Sequence, residues 1–364
     1  MKTILLVTLQ SDNIGNRLQN FALQETIKSM SYEVCTPYTN VVEWNSLKKR
    51  IKNRIKVILS VIGLKKYDYI RMRQKRIKKY MLFNQQYIDN MIKIEYKKAF
   101  KRKWDGIECA VTGSDQVWHK WSEDLYELPF FYLQFIPKHK RISYAPSFGF
   151  HEFENETKNI HYNGITGIKY LSCREQRGKE IINELTGRDA TVVIDPTLLL
   201  EKDEWKKIEK KPSMFKDKSY ILIYFLGEKS DECKDVIETI ARENNADIID
   251  AYSAESYLTT PDEFVWLIDN AMFVCTDSFH ACVFSVIFEK KFLVFRRNEV
   301  GMENMFDRIE TLFHLYDIDR EYRGDSHKIY EEYKTRDITE AKKLSKKFLF
   351  DAIKDIEKNV NSNS

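Results

Sequence analysis

What this 364-residue chain lacks narrows its class before anything it contains. No uninterrupted apolar run reaches membrane-spanning length. Gly-x-Gly-x-x-Gly and the P-loop lysine motif are absent, so the dinucleotide and NTP fingerprints are missing. Gly-x-Ser-x-Gly and His-Glu-x-x-His are absent too, which removes two hydrolase signatures. The six cysteines are scattered, and the nearest two, Cys275 and Cys282, are seven apart. They lack metal-ligand spacing, so buried reduced thiols of a cytoplasmic protein are expected. Met1 to Val7 could mimic a signal peptide, but the run is too short, and Gln10, Ser11, Asp12 and Asn13 follow at once. There is no internal repeat and no low-complexity segment, and Asn359 to Ser364 are expected to fray.

What is present suits a packed globular protein of two domains: 43% of residues are hydrophobic. The formal net charge of +4 decides little, but its distribution is uneven. Between Leu47 and Tyr80 fourteen Lys and Arg face one acid, Asp68, a local charge of +13 that leaves the remainder at −9. This basic belt is helical in pattern, with Ile51, Ile55, Ile58, Leu59 and Ile62 on one side.

Strand and helix signals alternate. Residues 3–8 read as a strand, Asn16 to Met30 as a helix, and Tyr32 to Tyr38 as a strand. Strands follow at 107–112, Arg141 to Ala145, Ile168 to Cys173 and Thr191 to Ile194, with a helix over Arg174 to Thr186. The pattern restarts with strands at Tyr220 to Leu226, Ala246 to Ala251, Ala271 to Thr276 and Phe292 to Phe295. Helices are expected at Ser230 to Asn244, Pro261 to Asn270 and Ser278 to Phe288. The alternation argues an α/β protein with parallel sheets. Two Rossmann-like domains facing a cleft, a glycosyltransferase-B-like architecture, is the expected fold. The expected boundaries are 1–200 for the first domain, with a basic helical insertion at about 45–100, and 201–337 for the second. Residues 201–218 read as the connection. A last helix within 338–364 carries Leu344, Phe348, Ala352 and Ile356 along one face and is expected to pack back on the first domain.

Four segments sit at strand ends, where open α/β sheets bind ligands. Gly113-Ser114-Asp115-Gln116-Val117-Trp118 follows a buried strand, and its Gly-Ser turn lets backbone approach a ligand. In Asn13 to Asn20, Gly15 permits a tight turn, Asn16 can cap the helix, and Arg17 can add charge at an anion-favouring helix start. Plain capping with a solvated Arg17 is the alternative. Arg174 and Arg177 would share one helix face, a double fork for phosphate and carboxylate, or would pair with Glu175 and Glu180 instead. His280 falls in the first turn of a buried helix, where Asp277 or Ser278 could act as cap and an imidazole can move protons near neutral pH. Asp317-Ile318-Asp319 matches a glycosyltransferase metal motif but follows no strand, so it reads as a solvated loop and no metal site is assigned.

The ordered patterns Asn13 to Gln19, Gly113 to Trp118, Ser172 to Glu175, Asp195 to Thr197 and Asp277 to His280 together resemble the polysaccharide pyruvyl transferase family. Met302 to Leu312 also looks like a family segment and points to Arg308. The resemblance implies transfer of the enolpyruvyl carbon of phosphoenolpyruvate onto two hydroxyls of a cell-surface polysaccharide sugar or its lipid-linked precursor, closing a ketal. It implies no cofactor beyond that donor. His280 and Asp115 are then the catalytic candidates. Arg174, Arg177, Arg17, Asn16, Ser278 and Arg308 are the donor-binding candidates. Ser114, Gln116 and Trp118 are the acceptor-binding candidates. Characterised relatives often carry Arg-Leu-His where this chain has Ser278-Phe279-His280. Arg17, Arg296 or Arg308 would have to supply the missing charge.

Two other functions compete. A nucleotide-sugar glycosyltransferase would hold a ribose with Asp250 or Asp277. A membrane-peripheral scaffold would use the belt. For the belt itself, a solvated hairpin and an anionic lipid surface both fit, while nucleic acid ranks last because no aromatic-interleaved module accompanies it. The expected location is the cytoplasm, with the inner face of the plasma membrane as a surface the belt could meet.

Overall fold

A computed structural model describes residues 2–11, 13–39, 47–213, 215–216, 218–252, 258–297 and 306–361. Asp12, the first part of the Met302 to Leu312 segment (302–305) and residues 362–364 lie outside the described residues. So do the side chains at 47–51, including Lys48, Lys49 and Arg50 of the belt. The chain divides into two compact units. The first is Met1–Arg71, Asn84–Leu199 and Thr339–Ser364; the second is Met72–Phe83 and Leu200–Ile338.

In the first unit five strands form a wholly parallel sheet: β1 (Thr3–Val7), β2 (Glu33–Tyr38), β3 (Met91–Lys93), β4 (Ile107–Thr112) and β5 (Arg141–Ser143), ordered β3-β2-β1-β4-β5. The three residues of β3 gave no sequence signal, since they lie in a lysine-rich stretch without alternation. A short parallel pair, β6 (Ser172–Cys173) with β7 (Thr191–Val192), continues the unit. The strand expected at Ile168 to Cys173 shrinks because residues before 172 make only an isolated bridge, Ile142 to Tyr170.

Both faces of β1 are covered, as parallel sheets require. Leu5 and Val7 enter one cluster with Trp118, Tyr132 and Phe148. Ile4 and Leu6, pointing the other way, enter a second with Leu23 and Ile27 of the helix Ile14–Ser29. That second cluster also takes Leu349, Ala352, Ile353 and Ile356 from the C-terminal helix Thr339–Asn361. Leu344, expected on the inner face, is 66% exposed. A strict ladder of four-residue steps drifts about 40° per step around an α-helix, so the contact stripe moves to 349, 352, 353 and 356.

The second unit holds β8 (Tyr220–Tyr224), β9 (Asp247–Asp250), β10 (Phe273–Thr276) and β11 (Lys291–Val294), all parallel, in the order β11-β10-β8-β9. All five residues of β8 are buried. The helix Phe279–Ile287 is buried over eight of its nine residues, which explains its continuous apolar sequence. Of the expected basic insertion, Met72–Phe83 clusters with this second unit.

The C-terminal stripe gives a direct test. Ile353→Ala should lower unfolding stability by about 2–5 kcal/mol, the cost of a buried truncation. Leu344→Ala should change it by less than about 0.5 kcal/mol. Urea unfolding of the two variants checks the assignment, and equal losses would contradict it.

Candidate functional site

In the first sheet the chain reverses direction of growth between β1 and β4, so the loops after these two strands flank the topological switch point. Asn13, and not Asn16, caps the helix Ile14–Ser29: its side chain accepts from Gly15 N at 2.7 Å. That frees Asn16 to reach across. Its Oδ1 accepts from Ser11 Oγ, and its Nδ2 donates to the Asp115 carboxylate. Arg17 turns inward and donates to the carbonyls of Gln10 and Ser11 at 3.0 and 2.9 Å, pinning the loop after β1. It is buried rather than solvated.

The loop after β4 is tightly determined. A Cβ on Gly113 would lie 2.4 Å from Thr8 Cγ2, so only glycine fits that approach. Asp115 sits at φ +71°, a left-handed conformation uncommon for a residue with a side chain. It is held there by Gln116 N donating to its carboxylate at 3.0 Å and by Ser147 N donating to its carbonyl at 2.9 Å. Ser114 Oγ donates to Asp195 Oδ2 at 2.9 Å.

Arg174 completes this network. Its Nη1 lies 2.8 Å from Asp195 Oδ2, its Nη2 3.8 Å from Asp115 Oδ1, and its Nε 3.5 Å from Glu175 Oε2. Burial works against its charge, yet Asp195, Glu175 and Asp115 together outweigh burial and hold its pKa above the ordinary arginine value. Asp195 also accepts from Thr197 N at 3.0 Å and Thr197 Oγ1 at 2.6 Å. The carboxylate thus ties the Gly113–Trp118 loop, the end of β6 and the turn at Pro196–Leu198 into one knot.

Beneath the loop lies an aromatic layer. Trp118 is fully buried and stacks on Tyr132 at 5.0 Å between centroids. His161 Nδ1 lies 2.7 Å from Tyr132 Oη, with Phe148, Phe150 and Phe153 packed around its ring. Burial pushes its pKa down to about 4, and His119 adds to the effect.

In the second unit the switch point lies between β8 and β10. Asp277, just past β10, accepts from the backbone N–H groups of Leu226 and Gly227, each at 2.8 Å. Arg297, beyond β11, donates through Nε to the same carboxylate at 2.8 Å and through Nη2 to the Asp277 carbonyl at 3.2 Å. Ser278 is the N-cap of the helix Phe279–Ile287 and makes no side-chain capping bond. His280 follows in the first turn, largely buried, its ring 5.2 Å from that of Phe279. Arg308 lies over Phe279 at 5.9 Å.

A model of the polysaccharide pyruvyl transferase family matches residues 13–299. The chain belongs to the polysaccharide pyruvyl transferase family. Direct comparison with curated proteins found no match. Among solved structures, the UDP-GlcNAc 2-epimerase of Methanocaldococcus jannaschii aligns with a TM-score of 0.53 at 11% identity, over 96% of this chain and 99% of that one. The Neisseria meningitidis UDP-GlcNAc 2-epimerase bound to UDP-GlcNAc aligns with a TM-score of 0.46 at 10% identity, over 96% and 100%. The E. coli ADP-heptose LPS heptosyltransferase II aligns with a TM-score of 0.38 at 10% identity, over 99% and 100%. This pyruvyl transferase is therefore an α/β transferase of glycosyltransferase-B-like fold, built from two Rossmann-like units.

Several expectations for the pyruvyl transferase site need correction. Trp118 is core and presents no surface to an acceptor. Arg174 and Arg177 do not share a helix face, because the helix starts at Gln176 with Glu175 as its N-cap. Arg174 is enclosed by carboxylates, and Arg177 bonds Glu180 and Glu184 and the His151 carbonyl. Ser114 is buried and committed to Asp195. Gln116 is wedged against Gly149, where a Cβ would meet its Nε2 at 2.3 Å. Arg296 pairs with Glu310 and Glu321. The carboxylates offered for a ribose are engaged internally: Asp250 accepts from Lys229 and Tyr252 N, and Asp277 as described. In Asp317-Ile318-Asp319, Asp317 pairs with Arg336, and Asp319 with Arg323 and Lys328.

Two residues were missed. Arg297 bonds the carboxylate and the carbonyl of Asp277, the residue before Ser278; the adjacent Arg296 and Arg297 follow one strand, and sequence does not say which turns inward. Trp121 is 52% exposed, its ring 4.5 Å from that of His119 and its Nε1 bonded to the Gln116 carbonyl at 2.9 Å.

Asp195→Asn should cost about 3–5 kcal/mol by leaving Arg174 buried beside too little negative charge. Arg177→Ala, at a half-exposed pair, should cost no more than about 1 kcal/mol. Equal effects in urea unfolding would contradict the network. His161 sets a pH dependence: below about pH 6.5 the unfolded chain takes up a proton there, and the folded chain takes it up only near pH 4. Stability should fall as pH drops through that window, by about 3 kcal/mol from this group. His161→Gln should flatten that part of the curve, and an unchanged slope would count against it.

Proposed function

We propose that this enzyme transfers the pyruvyl carbon of phosphoenolpyruvate to a sugar diol of a polysaccharide or its lipid-linked precursor. The reading is carried by His280: it stands in the first turn of a rigid buried helix, with Arg297 fixed to its neighbour Asp277. The start of that helix carries the positive end of its dipole, which favours an anion. Arg297 on Asp277 and Arg308 over Phe279 add positive charge near that helix start. A donor with phosphate and carboxylate suits such a place.

The roles follow. His280 protonates the donor methylene, which becomes a methyl group and leaves its neighbouring carbon electrophilic. A sugar hydroxyl adds to that carbon and returns a proton to His280. The carbon–oxygen bond to phosphate breaks, and a second hydroxyl closes the ketal, its proton leaving with the phosphate. Cationic side chains and helix N–H groups stabilise charge on the departing phosphate. The half-exposed Trp121 takes the place expected of Trp118, presenting an indole face to the sugar.

Pure protein incubated with phosphoenolpyruvate and galactosyl or mannosaminyl acceptors should release inorganic phosphate. His280→Ala should lower kcat by about 10²–10⁴-fold. Trp121→Ala should raise KM for the acceptor more than it lowers kcat. No release across the panel, with a thermal midpoint raised by UDP- or GDP-sugars and not by phosphoenolpyruvate, would replace this reading with nucleotide-sugar glycosyl transfer.

A further inference from the structure

The helix Leu47–Val61 runs through a turn at Gly63 and the short helix Lys65–Tyr67 into the helix Asp68–Tyr87. Within the first unit, the stretch from Lys52 to Arg71 presents an unusual surface. Ile55, Ile58, Val61, Ile62, Leu64 and Tyr69 are all exposed, Ile62 at 67%. Ile55, Ile58 and Ile62 are three and four apart, so they form one stripe along the helix and the turn that extends it. Scattered exposed apolar residues are ordinary, but a contiguous stripe marks an interaction surface.

The charge around the stripe is of one sign. Six cations lie between 52 and 71 against Asp68 alone. Lys52, Arg54, Lys65 and Lys66 are exposed, and the Lys66 ammonium lies 5.0 Å from the Tyr67 ring centre. Asp68 is engaged by Ser60 Oγ and by Arg71. Any occupant must therefore accept isoleucine side chains and bring negative charge to their rim. A second copy of the same patch supplies the first and repels on the second. Nucleic acid supplies the second but is gripped through aromatic faces and polar groups, not an aliphatic stripe. A leaflet of anionic lipid supplies both: acyl chains receive the isoleucines while headgroup phosphates meet the lysines and arginines. Among the described residues no helix is long and apolar enough to cross a membrane, so the contact would lie in the interface plane.

We propose that residues 52–71 dock the protein on a membrane surface rich in anionic lipid. The surface acts independently of the pyruvyl transfer chemistry, so its test needs no activity. The full chain is sedimented with vesicles of phosphatidylcholine alone and of phosphatidylcholine mixed with phosphatidylglycerol. It should pellet with the mixed vesicles and be released by high salt. Lys65→Gln with Lys66→Gln should weaken that binding on the order of 30-fold, about one surface charge contribution per lysine. Ile58→Ser with Ile62→Ser should weaken it at least about tenfold. All four side chains are exposed, and circular dichroism verifies that both variants fold. Absence of binding, equal binding to neutral vesicles, or wild-type binding by either variant would overturn the proposal. So would self-association in sedimentation velocity that Ile58→Ser with Ile62→Ser abolishes.

Discussion

A buried carboxylate, Asp195, is the constraint on which the first unit's strand-end loops depend. It accepts from Ser114, from both donors of Thr197 and from Arg174. Three separated chain segments are thereby fixed with respect to one another. A buried charge pair gains little net stability, because removing two ions from water costs about as much as their attraction returns. What it provides is geometry. Arg174, so held, leaves Asp115 at the edge of the network in a left-handed conformation uncommon for a residue with a side chain. Asp115 is retained there because the backbone of Gln116, Ser147 and the side chain of Asn16 all bond to it.

The second unit solves the same problem with the same parts. Asp277 accepts two backbone N–H groups from the loop after β8 and one guanidinium from beyond β11. Each unit thus carries a carboxylate–arginine tie beside its switch point. In the first unit the arginine precedes a helix and is sealed in; in the second it comes from the far strand and remains partly open. Arg174 thus positions the loops around it, while the partly open Arg297 is the guanidinium proposed for the donor. His280 draws its rigidity from a helix with almost no polar surface, which fixes its backbone before any ligand arrives.

The alternation of strand and helix was readable because both sheets are parallel and covered. Ile4 to Val7 and Ile221 to Tyr224 are continuous apolar runs that only a doubly covered strand tolerates. The strand-end loops were readable for the same reason, since ligands gather where such strands finish. Side-chain direction was not. Trp118 and Trp121 are three residues apart, and nothing local says that the first enters the aromatic layer while the second faces water. Arg296 and Arg297 differ only in the side of the chain from which they leave. The clamp expected of Arg174 and Arg177 failed because the helix begins two residues after Arg174, and because Asp195 lies 21 residues further along and reaches it through the fold. The Asp195 to Thr197 pattern was visible, while its role as a tie depends on contacts no spacing encodes.

The proposed reaction moves carbon from phosphoenolpyruvate to a sugar through His280. The most direct measurement is carbon-13 NMR of the product formed from donor labelled at its central carbon. Pyruvyl transfer requires the label to appear as a quaternary ketal carbon bonded to two sugar oxygens and a new methyl group, with His280→Ala leaving the donor signal unchanged. A label that stays in the donor while the wild-type enzyme glycosylates the acceptor from a nucleotide sugar, or a ketal that forms undiminished in His280→Ala, would contradict it.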